Sequence, residues 1–253
     1  MRIFCIANQK GGVGKTTTAV NLAAGLARLG QRVLLVDLDP QGNATMGSGI
    51  DKRELELSVY DVLLESASVA EARRRSPQGG YDVLGANREL AGAEVELVGL
   101  ERRNERLRDA LAAASADHDF VLIDCPPSLS LLTLNGLCSA NGVFVPMQCE
   151  YFALEGLSDL VNTIKQVHAN LNRQLIIIGL LRVMYDPRIT LQQQVSEQLS
   201  KHFGDKVFNT VIPRNVRLAE APSYGLPGLV FDAASKGAQA YLDFAREMLE
   251  RLG

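Results

Sequence analysis

This 253-residue chain has little cysteine and no strong excess of either charge. Its four cysteines form no C-x-x-C pair, which argues against a zinc site or a disulfide framework and indicates reduced thiols. A net charge of −3 argues against a strongly basic nucleic-acid protein but is compatible with a local basic patch. No apolar run reaches the roughly 18 residues of a membrane-spanning helix. Because an apolar strand begins at once, we expect no signal peptide and a cytoplasmic protein.

Predicted strands and helices alternate along nearly the whole chain. Runs rich in Val, Ile and Leu predict strands at 2–7, 32–37, 81–85, 119–124, 143–147, 175–183 and 207–212. Helical spacing of apolar residues predicts helices at 16–29, 58–65, 88–98, 101–115, 129–139, 154–171, 190–203 and 235–251. This order predicts an α/β fold, a doubly wound and mostly parallel sheet with helices on both faces. With no internal repeat or low-complexity linker, we expect one domain over residues 1–253.

Residues 8–17, NQKGGVGKTT, lie between the first predicted strand and the first predicted helix. Three glycines within four residues let backbone N–H groups approach an anion, and the helix N-terminus adds its dipole. Gln9 replaces the first glycine of G-x-x-x-x-G-K-[ST], so a plain glycine-rich turn is the competing interpretation. The agreement of strand, glycines and helix favours a phosphate-binding loop. Lys15 would then reach phosphates and Thr16 would ligate Mg²⁺, whereas Lys10 has no evident target in its own loop.

Carboxylates stand at the ends of two apolar strands. Asp37 and Asp39 end the second strand, where one acid would serve the Mg²⁺ region and the other would polarise an attacking water. The alternative for either residue alone is a cap on the next segment. Asp124 ends the run FVLID, the Walker B arrangement in which a carboxylate lies near Mg²⁺, often through water.

Three further features lie in the second half of the chain. Pro213 and Asn215 follow a strand and would pack against and hydrogen-bond a nucleotide base, with a plain proline turn as the alternative. Residues 173–217 hold seven Lys or Arg against three acids, which favours an anionic partner such as DNA over a merely solvated surface. Acids balance the bases of the helix 235–251, so we expect it to dock on the domain and not on a membrane.

Four segments together resemble one family: KGGVGKTTT, VLLVDLDPQGNAT, FVLIDCPPS and VIPRNVRLAEAPSYG resemble the ParA/Soj chromosome- and plasmid-partitioning ATPases. The match runs from Ile3 to about Ala240. These proteins belong to the deviant Walker A group of P-loop NTPases, with MinD and the nitrogenase iron protein. No N-terminal helix-turn-helix extension is expected, so the chain is similar to the short, Soj-like type. The resemblance implies an ATPase that uses ATP and Mg²⁺.

The resemblance also implies a role for each site residue. Lys10 would reach the nucleotide of the other subunit in a dimer, with Gly11 in the interface, and Asp39 would orient the attacking water. The implied catalytic residues are Lys10, Lys15 and Asp39. The implied nucleotide-binding residues are Lys10, Gly11, Gly12, Val13, Gly14, Lys15, Thr16, Thr17, Pro213 and Asn215. Thr16 and, through water, Asp124 would hold the metal. The implied DNA-binding residues are Arg188, Arg217 and Lys236.

The function implied is that of a nucleotide switch for DNA segregation. The ATP-bound homodimer would bind DNA non-specifically on the nucleoid and hydrolyse ATP slowly until stimulated by a ParB-like centromere-binding protein. Two alternatives remain, a MinD-like membrane-surface positioning ATPase and a cargo-positioning relative on a non-DNA scaffold. The chain lacks the basic amphipathic tail of MinD, and no membrane partner is expected. Cys125 alone does not supply the bridging cysteines of the iron protein.

Overall fold

A single eight-stranded sheet organises the molecule, of which the computed structural model describes residues 1–114 and 116–253. The strands are β1 Arg2–Ile6, β2 Val33–Asp37, β3 Arg74–Arg75, β4 Asp82–Leu84, β5 Phe120–Asp124, β6 Gly142–Met147, β7 Ile176–Tyr185 and β8 Val207–Pro213. Their order is β3-β4-β2-β5-β1-β6-β7-β8, and every pair is parallel except β3 with β4. This confirms the predicted doubly wound, mostly parallel sheet.

Helices cover both faces of the sheet. They are α1 Lys15–Arg28, α2 Asn43–Gly47, α3 Val59–Leu63, α4 Val69–Ala72, α5 Leu90–Val98, α6 Arg106–Ala113, α7 Leu131–Ser139, α8 Ala153–Asn170, α9 Thr190–Phe203, α10 Val216–Glu220, α11 Gly228–Phe231 and α12 Lys236–Leu252. Alternate residues of β1 enter different cores: Ile3 and Cys5 pack with α3 to α9, whereas Phe4 and Ile6 pack with α1 and α12. Two covered faces explain why the strands are continuously apolar.

The second core holds a run of packed aromatic rings. Phe4 lies 5.0 Å from Phe144 between ring centroids, Phe144 lies 5.7 Å from Phe208, and Phe208 lies 4.8 Å from Phe244 of α12. Tyr241 of α12 is also buried there. The C-terminal helix therefore docks on the domain as the sequence predicted, and its apolar face is buried in the second core. No helix in the described part of the chain is long and apolar enough to cross a membrane.

The structure corrects the predicted helix at 101–115. Helix α6 begins only at Arg106, because residues 101–105 form turns held by Asn135 of α7. The Asn135 side chain donates a hydrogen bond to the Arg103 carbonyl (2.7 Å) and accepts one from the Leu107 N–H (3.2 Å). Residue 115, the predicted last residue of that helix, lies outside the described residues. The sequence prediction also missed β3 and the short helices α2, α4, α10 and α11.

Candidate functional site

The loop at residues 7–14 leaves the carboxyl end of β1, the strand at which the sheet order reverses. β1 is paired with β5 on one side and β6 on the other, so loops leaving neighbouring strands meet around it. Ligands of doubly wound sheets bind at this position. The fold therefore brings the predicted loops after β1, β2 and β5 to one edge.

The glycines of this loop differ in what they require. Gly12 and Gly14 have left-handed φ angles of 73° and 78°, a conformation that glycine adopts without strain, and Gly14 is the N-cap of α1. A Cβ placed on Gly11 or Gly12 would meet no atom within 4 Å, so the loop borders open space. The Val13 side chain is buried, which leaves only its backbone to face a ligand. Exposed N–H groups at a helix N-terminus form a setting suited to phosphate.

The two lysines of the loop occupy different environments. Lys15 is buried, and its ammonium donates a hydrogen bond to the Lys10 carbonyl (2.9 Å). Burial lowers the pKa of Lys15, and the Asp124 carboxylate acts in the opposite direction. Lys10 points outward instead, and its half-exposed ammonium pairs with Glu150 in the loop after β6. The Lys15 side chain therefore lies within the loop, whereas the Lys10 side chain lies outside it.

Thr16 and Asp124 form the part of the site that fits Mg²⁺. The Thr16 hydroxyl donates to Asp124 Oδ2 (2.7 Å), while the buried Oδ1 of Asp124 has no hydrogen-bond partner among the described residues. Burial, aided by the nearby Asp37, raises the pKa of Asp124 well above its usual range. No cluster of three or more His, Cys, Asp or Glu within the described residues could hold a metal alone. The Thr16 hydroxyl and the Asp124 carboxylate are oxygen donors of the kind that Mg²⁺ takes, in small number, together with phosphate and water.

The structure separates the two acids that end β2. Asp37 is fully buried, and its Oδ2 accepts hydrogen bonds from the N–H and hydroxyl of Thr45 in α2 (2.8 Å each). Burial raises the pKa of Asp37 to about 6. Asp39 is only partly buried, and its side chain accepts one bond from the Gln41 N–H (2.9 Å). Asp37 therefore anchors α2, and Asp39 is the acid with capacity left for water.

A cavity of about 300 Å³ lies beside the loop, next to the start of α1. Its lining includes Gly14 and Thr17 on the loop side, Met184 from β7, Pro213 at the end of β8, and Asn215 just after β8. The Asn215 side-chain oxygen caps α10 by accepting from the Leu218 N–H (3.2 Å). The structure thus places Pro213 and Asn215 in the wall of a pocket adjoining the loop, and Pro213 is the last residue of β8 and not part of a turn.

The three residues assigned to DNA lie apart from this cavity's interior. Arg217 belongs to α10 and Lys236 to α12, two helices that pack together where Gly237 approaches Leu218 and Asn215. Arg217 pairs with Glu220 and Asp232. Arg188, in the loop after β7, pairs with Asp186 and shares no hydrogen bond or ion pair with the other two within the described chain. Two of these residues therefore lie on helices that pack together, and Arg188 lies on a different segment of the described chain.

Sequence reasoning missed three side chains at this edge: Gln148, Glu150 and Met184. Gln148 contacts Gly12 and Glu150 contacts Lys10 across 136 and 140 residues of chain. The segment PMQCE has no sequence pattern that predicts such contacts. The one available signal was its position directly after a predicted strand at the ligand-binding edge.

Residues 1–177 match the family model described as an AAA domain. The chain is 53% identical over 247 residues to the sporulation initiation inhibitor protein Soj of Bacillus subtilis, covering 98% of each chain. It is 52% identical over 253 residues to the chromosome partitioning protein ParA of Caulobacter vibrioides, covering 99% of this chain and 95% of that protein.

The fold is also similar to a solved structure described as cobyrinic acid a,c-diamide synthase from Mycobacterium smegmatis with bound ATP analogue and magnesium. The TM-score is 0.88 at 40% identity, over 100% of this chain and 96% of the other. The name of that enzyme describes a different activity, but the partitioning relatives are more similar to this chain in sequence. The bound nucleotide and magnesium agree with the cofactors expected for this chain.

Proposed function

The chain belongs to the ParA/Soj family of chromosome-partitioning ATPases, and we propose that it works as a dimerising switch on DNA. In this proposal ATP closes a homodimer, the dimer binds DNA without sequence preference, and hydrolysis separates the subunits. A ParB-like partner accelerates hydrolysis. The observation that carries the proposal is the outward position of Lys10.

Lys10 is available to a second subunit because Lys15 already occupies the interior of the loop. An exposed ion pair such as Lys10–Glu150 contributes only about 0–1 kcal/mol, so it can be exchanged for a stronger contact. The charge of a triphosphate on a facing subunit would supply that contact. Lys10 would then complete the neighbouring site, which explains why the chain carries two lysines in one loop.

The surface around Lys10 supports contact with another copy of the chain. We call Lys10, Gly11, Leu129, Glu150, Tyr151 and Phe152 the outer rim. Leu129, Tyr151 and Phe152 are 52%, 74% and 69% exposed, and exposed apolar patches mark interaction sites. Gly11 has neither a left-handed φ nor a crowded Cβ position within its own chain. Close approach of the backbone of a second subunit would explain why the chain has a glycine at position 11.

The inner residues suit phosphoryl transfer to water. We propose that Lys15 neutralises phosphate charge and that Thr16 and Asp124 hold Mg²⁺, directly and through water. Bound Mg²⁺ would stabilise charge on the phosphates. Asp39 would orient the attacking water, since its carboxylate is only partly engaged. Pro213 and Asn215 would contact the base. Positioning and charge supply most of the catalysis in such reactions, so a partner that completes them accelerates turnover.

For DNA binding we propose Arg188, Arg217 and Lys236. Two of these have acidic partners within the chain, so one subunit presents a weak basic surface. A dimer would present the set twice, and phosphate contacts add on a charged polymer. Such contacts carry no sequence information, which suits movement over the whole nucleoid.

The test uses the Asp39→Ala variant, which should bind ATP and stay dimeric because water is not activated. We expect light scattering to show a dimer with Mg-ATP and a monomer after Lys10→Ala is added in the same background. Lys201→Ala, an exposed lysine at the end of α9, is the matched control and should dimerise. A Lys10→Ala variant that dimerises fully would refute the cross-subunit role.

The same dimer tests the DNA surface. DNA affinity should require ATP and fall steeply with salt, and Arg217→Glu should weaken it on every sequence. A normal ATP dimer that binds no DNA at low salt would instead favour a non-DNA scaffold. The membrane-surface alternative gains no support, because the apolar face of α12 is buried against α1 and β8.

A further inference from the structure

The phosphate loop is tied to the end of β6 by two side-chain contacts. Asn8 at the start of the loop donates to the Pro146 carbonyl (2.9 Å). Gln148, just after β6, donates from Nε2 to the Gly12 carbonyl (3.1 Å). The second contact lies in the middle of the loop, where Gly12 is left-handed and a Cβ on Gly11 or Gly12 would meet no atom within 4 Å.

The Gln148 amide also contacts Met184, which lines the cavity that we assign to the nucleotide base. Gln148 Nε2 lies 3.0 Å from Met184 Sδ, so its two N–H groups serve the loop and the cavity wall together. Met184 lines the cavity with Pro213 and Asn215. A Cβ on Gly14 would lie 3.8 Å from Met184 Cε, which shows how closely this wall approaches the loop.

Met184 is held in an uncommon backbone conformation. Its φ is +52°, one of three left-handed non-glycine residues in the described chain, and the pairing of β7 with β8 shifts register between Arg182 and Tyr185. Non-glycine residues seldom adopt this conformation without a local reason. Here it turns the end of β7 so that the Met184 side chain faces the Gln148 amide and the cavity.

We propose that Gln148 is a positioning residue that holds the phosphate loop in its anion-binding shape and links it to the base pocket through Met184. A phosphate-binding loop works only while its N–H groups, and not its carbonyls, face the anion. Glycine peptides rotate easily, so the Gly12 carbonyl needs an outside partner to keep it turned away. Lys15 cannot supply this, because its ammonium bonds the Lys10 carbonyl and is the group we assign to phosphate.

This inference rests on the proposed nucleotide site, and it separates two kinds of ligand. ATP carries a base and a triphosphate, whereas inorganic tripolyphosphate carries only the charged part. Gln148→Ala should weaken tripolyphosphate by about five- to tenfold, the loss expected for one hydrogen bond that holds the loop, and ATP by somewhat more, because the contact with Met184 is lost as well. Met184→Ala should weaken ATP several-fold and leave tripolyphosphate unchanged, because only the base touches that wall.

Two further variants sharpen the expectation. Gln148→Glu should bind both ligands less well than Gln148→Ala, because a carboxylate repels the Gly12 carbonyl and the phosphates. Gln166→Ala and Gln166→Glu, on the exposed face of α8, are the matched controls and should bind as the parent does. In the double variant Gln148→Ala with Met184→Ala, the loss of ATP affinity should be smaller than the product of the single losses, since the two residues share one contact.

Isothermal titration with full-length protein, after thermal unfolding has confirmed that each variant folds, gives these affinities. Gln148→Ala binding tripolyphosphate as tightly as the parent would overturn the positioning role, and strictly multiplicative losses in the double variant would overturn the link through Met184. Lys15→Ala serves in the same series: if it still binds ATP normally, the nucleotide site itself is wrongly placed. If Lys15→Ala loses binding while Gln148 variants do not, only the present inference fails.

Discussion

The inner site and the outer rim differ in how deeply their charged groups are buried, and therefore in the free energy needed to keep those groups charged. The inner site, which we define as Lys15, Thr16, Asp37 and Asp124, places an ammonium and two carboxyls in the interior of the fold. On the outer rim, Lys10 and its partner Glu150 are each about half exposed. Buried charges shift their pKa and demand compensation, whereas exposed pairs exchange partners at little cost. The difference supports our proposal that the inner groups bind the nucleotide and that Lys10 exchanges its partner.

Exchanging the two lysines for alanine gives the largest expected contrast. Lys15→Ala should weaken ATP binding by about 3 kcal/mol, roughly a hundredfold, because a charged hydrogen-bond donor inside the loop is lost. Lys10→Ala should leave ATP binding to the monomer almost unchanged. Titration of a fluorescent ATP analogue at low protein concentration measures both. Equal losses in the two variants would remove the distinction between inner site and outer rim.

Removing one buried carboxylate should stabilise the protein without ligands. Asp124→Asn keeps an acceptor for the Thr16 hydroxyl but removes the charge beside Asp37, so the free energy of unfolding in chelator at pH 8 should rise by roughly 1 kcal/mol. Mg-dependent ATP hydrolysis should fall at the same time. Urea unfolding and phosphate release measure the two effects. An Asp124→Asn protein less stable than its parent at pH 8 would contradict the account.

The pH dependence of that gain follows from raised pKa values. Burial raises the pKa of Asp37 to about 6 and that of Asp124 well above its usual range. Between pH ~4 and these folded pKa values the folded protein holds protons that the unfolded chain releases, so these carboxyls lower stability as pH rises. The gain from Asp124→Asn should therefore be small near pH 4 and grow through pH 6.

The inner site could be predicted largely from sequence, whereas the links around it could not. Residues 8–17 lie on one short segment, and Asp124 ends a strand whose apolar run is unmistakable. The pattern did not decide between Asp37 and Asp39, because that depends on Thr45 folding back to bond Asp37. Helix α2 was missed for the same reason: it is five residues long and is anchored by a tertiary contact and not by its own periodicity.

The cavity that we assign to the base also depends on contacts that the sequence does not predict. The sequence predicted a role for Pro213 and Asn215, and both line the cavity, but the wall that Met184 forms depends on its left-handed backbone near the end of β7. No sequence pattern specifies that a methionine will adopt this conformation. Gln148 likewise acts through partners 36 and 136 residues away along the chain.

The smallest expected effect concerns the pair on the outer rim. Glu150→Gln should change the free energy of unfolding by less than about 1 kcal/mol, since exposed pairs contribute little. It should nevertheless favour the ATP-dependent dimer by a few-fold, because Lys10 no longer leaves a charged partner. Light scattering over a protein dilution series, with Glu155→Gln at the start of α8 as control, measures this. A weaker dimer in Glu150→Gln would mean that Glu150 itself serves the interface.

The central claim, that Lys10 acts on the other subunit, is tested most directly by mixing two inactive variants. Lys10→Ala retains its own inner site, and Lys15→Ala retains the Lys10 that reaches across, so a mixed dimer contains one complete site. We expect the mixture to regain ATP hydrolysis that neither variant shows alone, to at most about half of the parent rate, since a mixed two-fold dimer holds one complete site of two. A mixture that stays as inactive as either variant alone, although the mixed dimer forms, would contradict it.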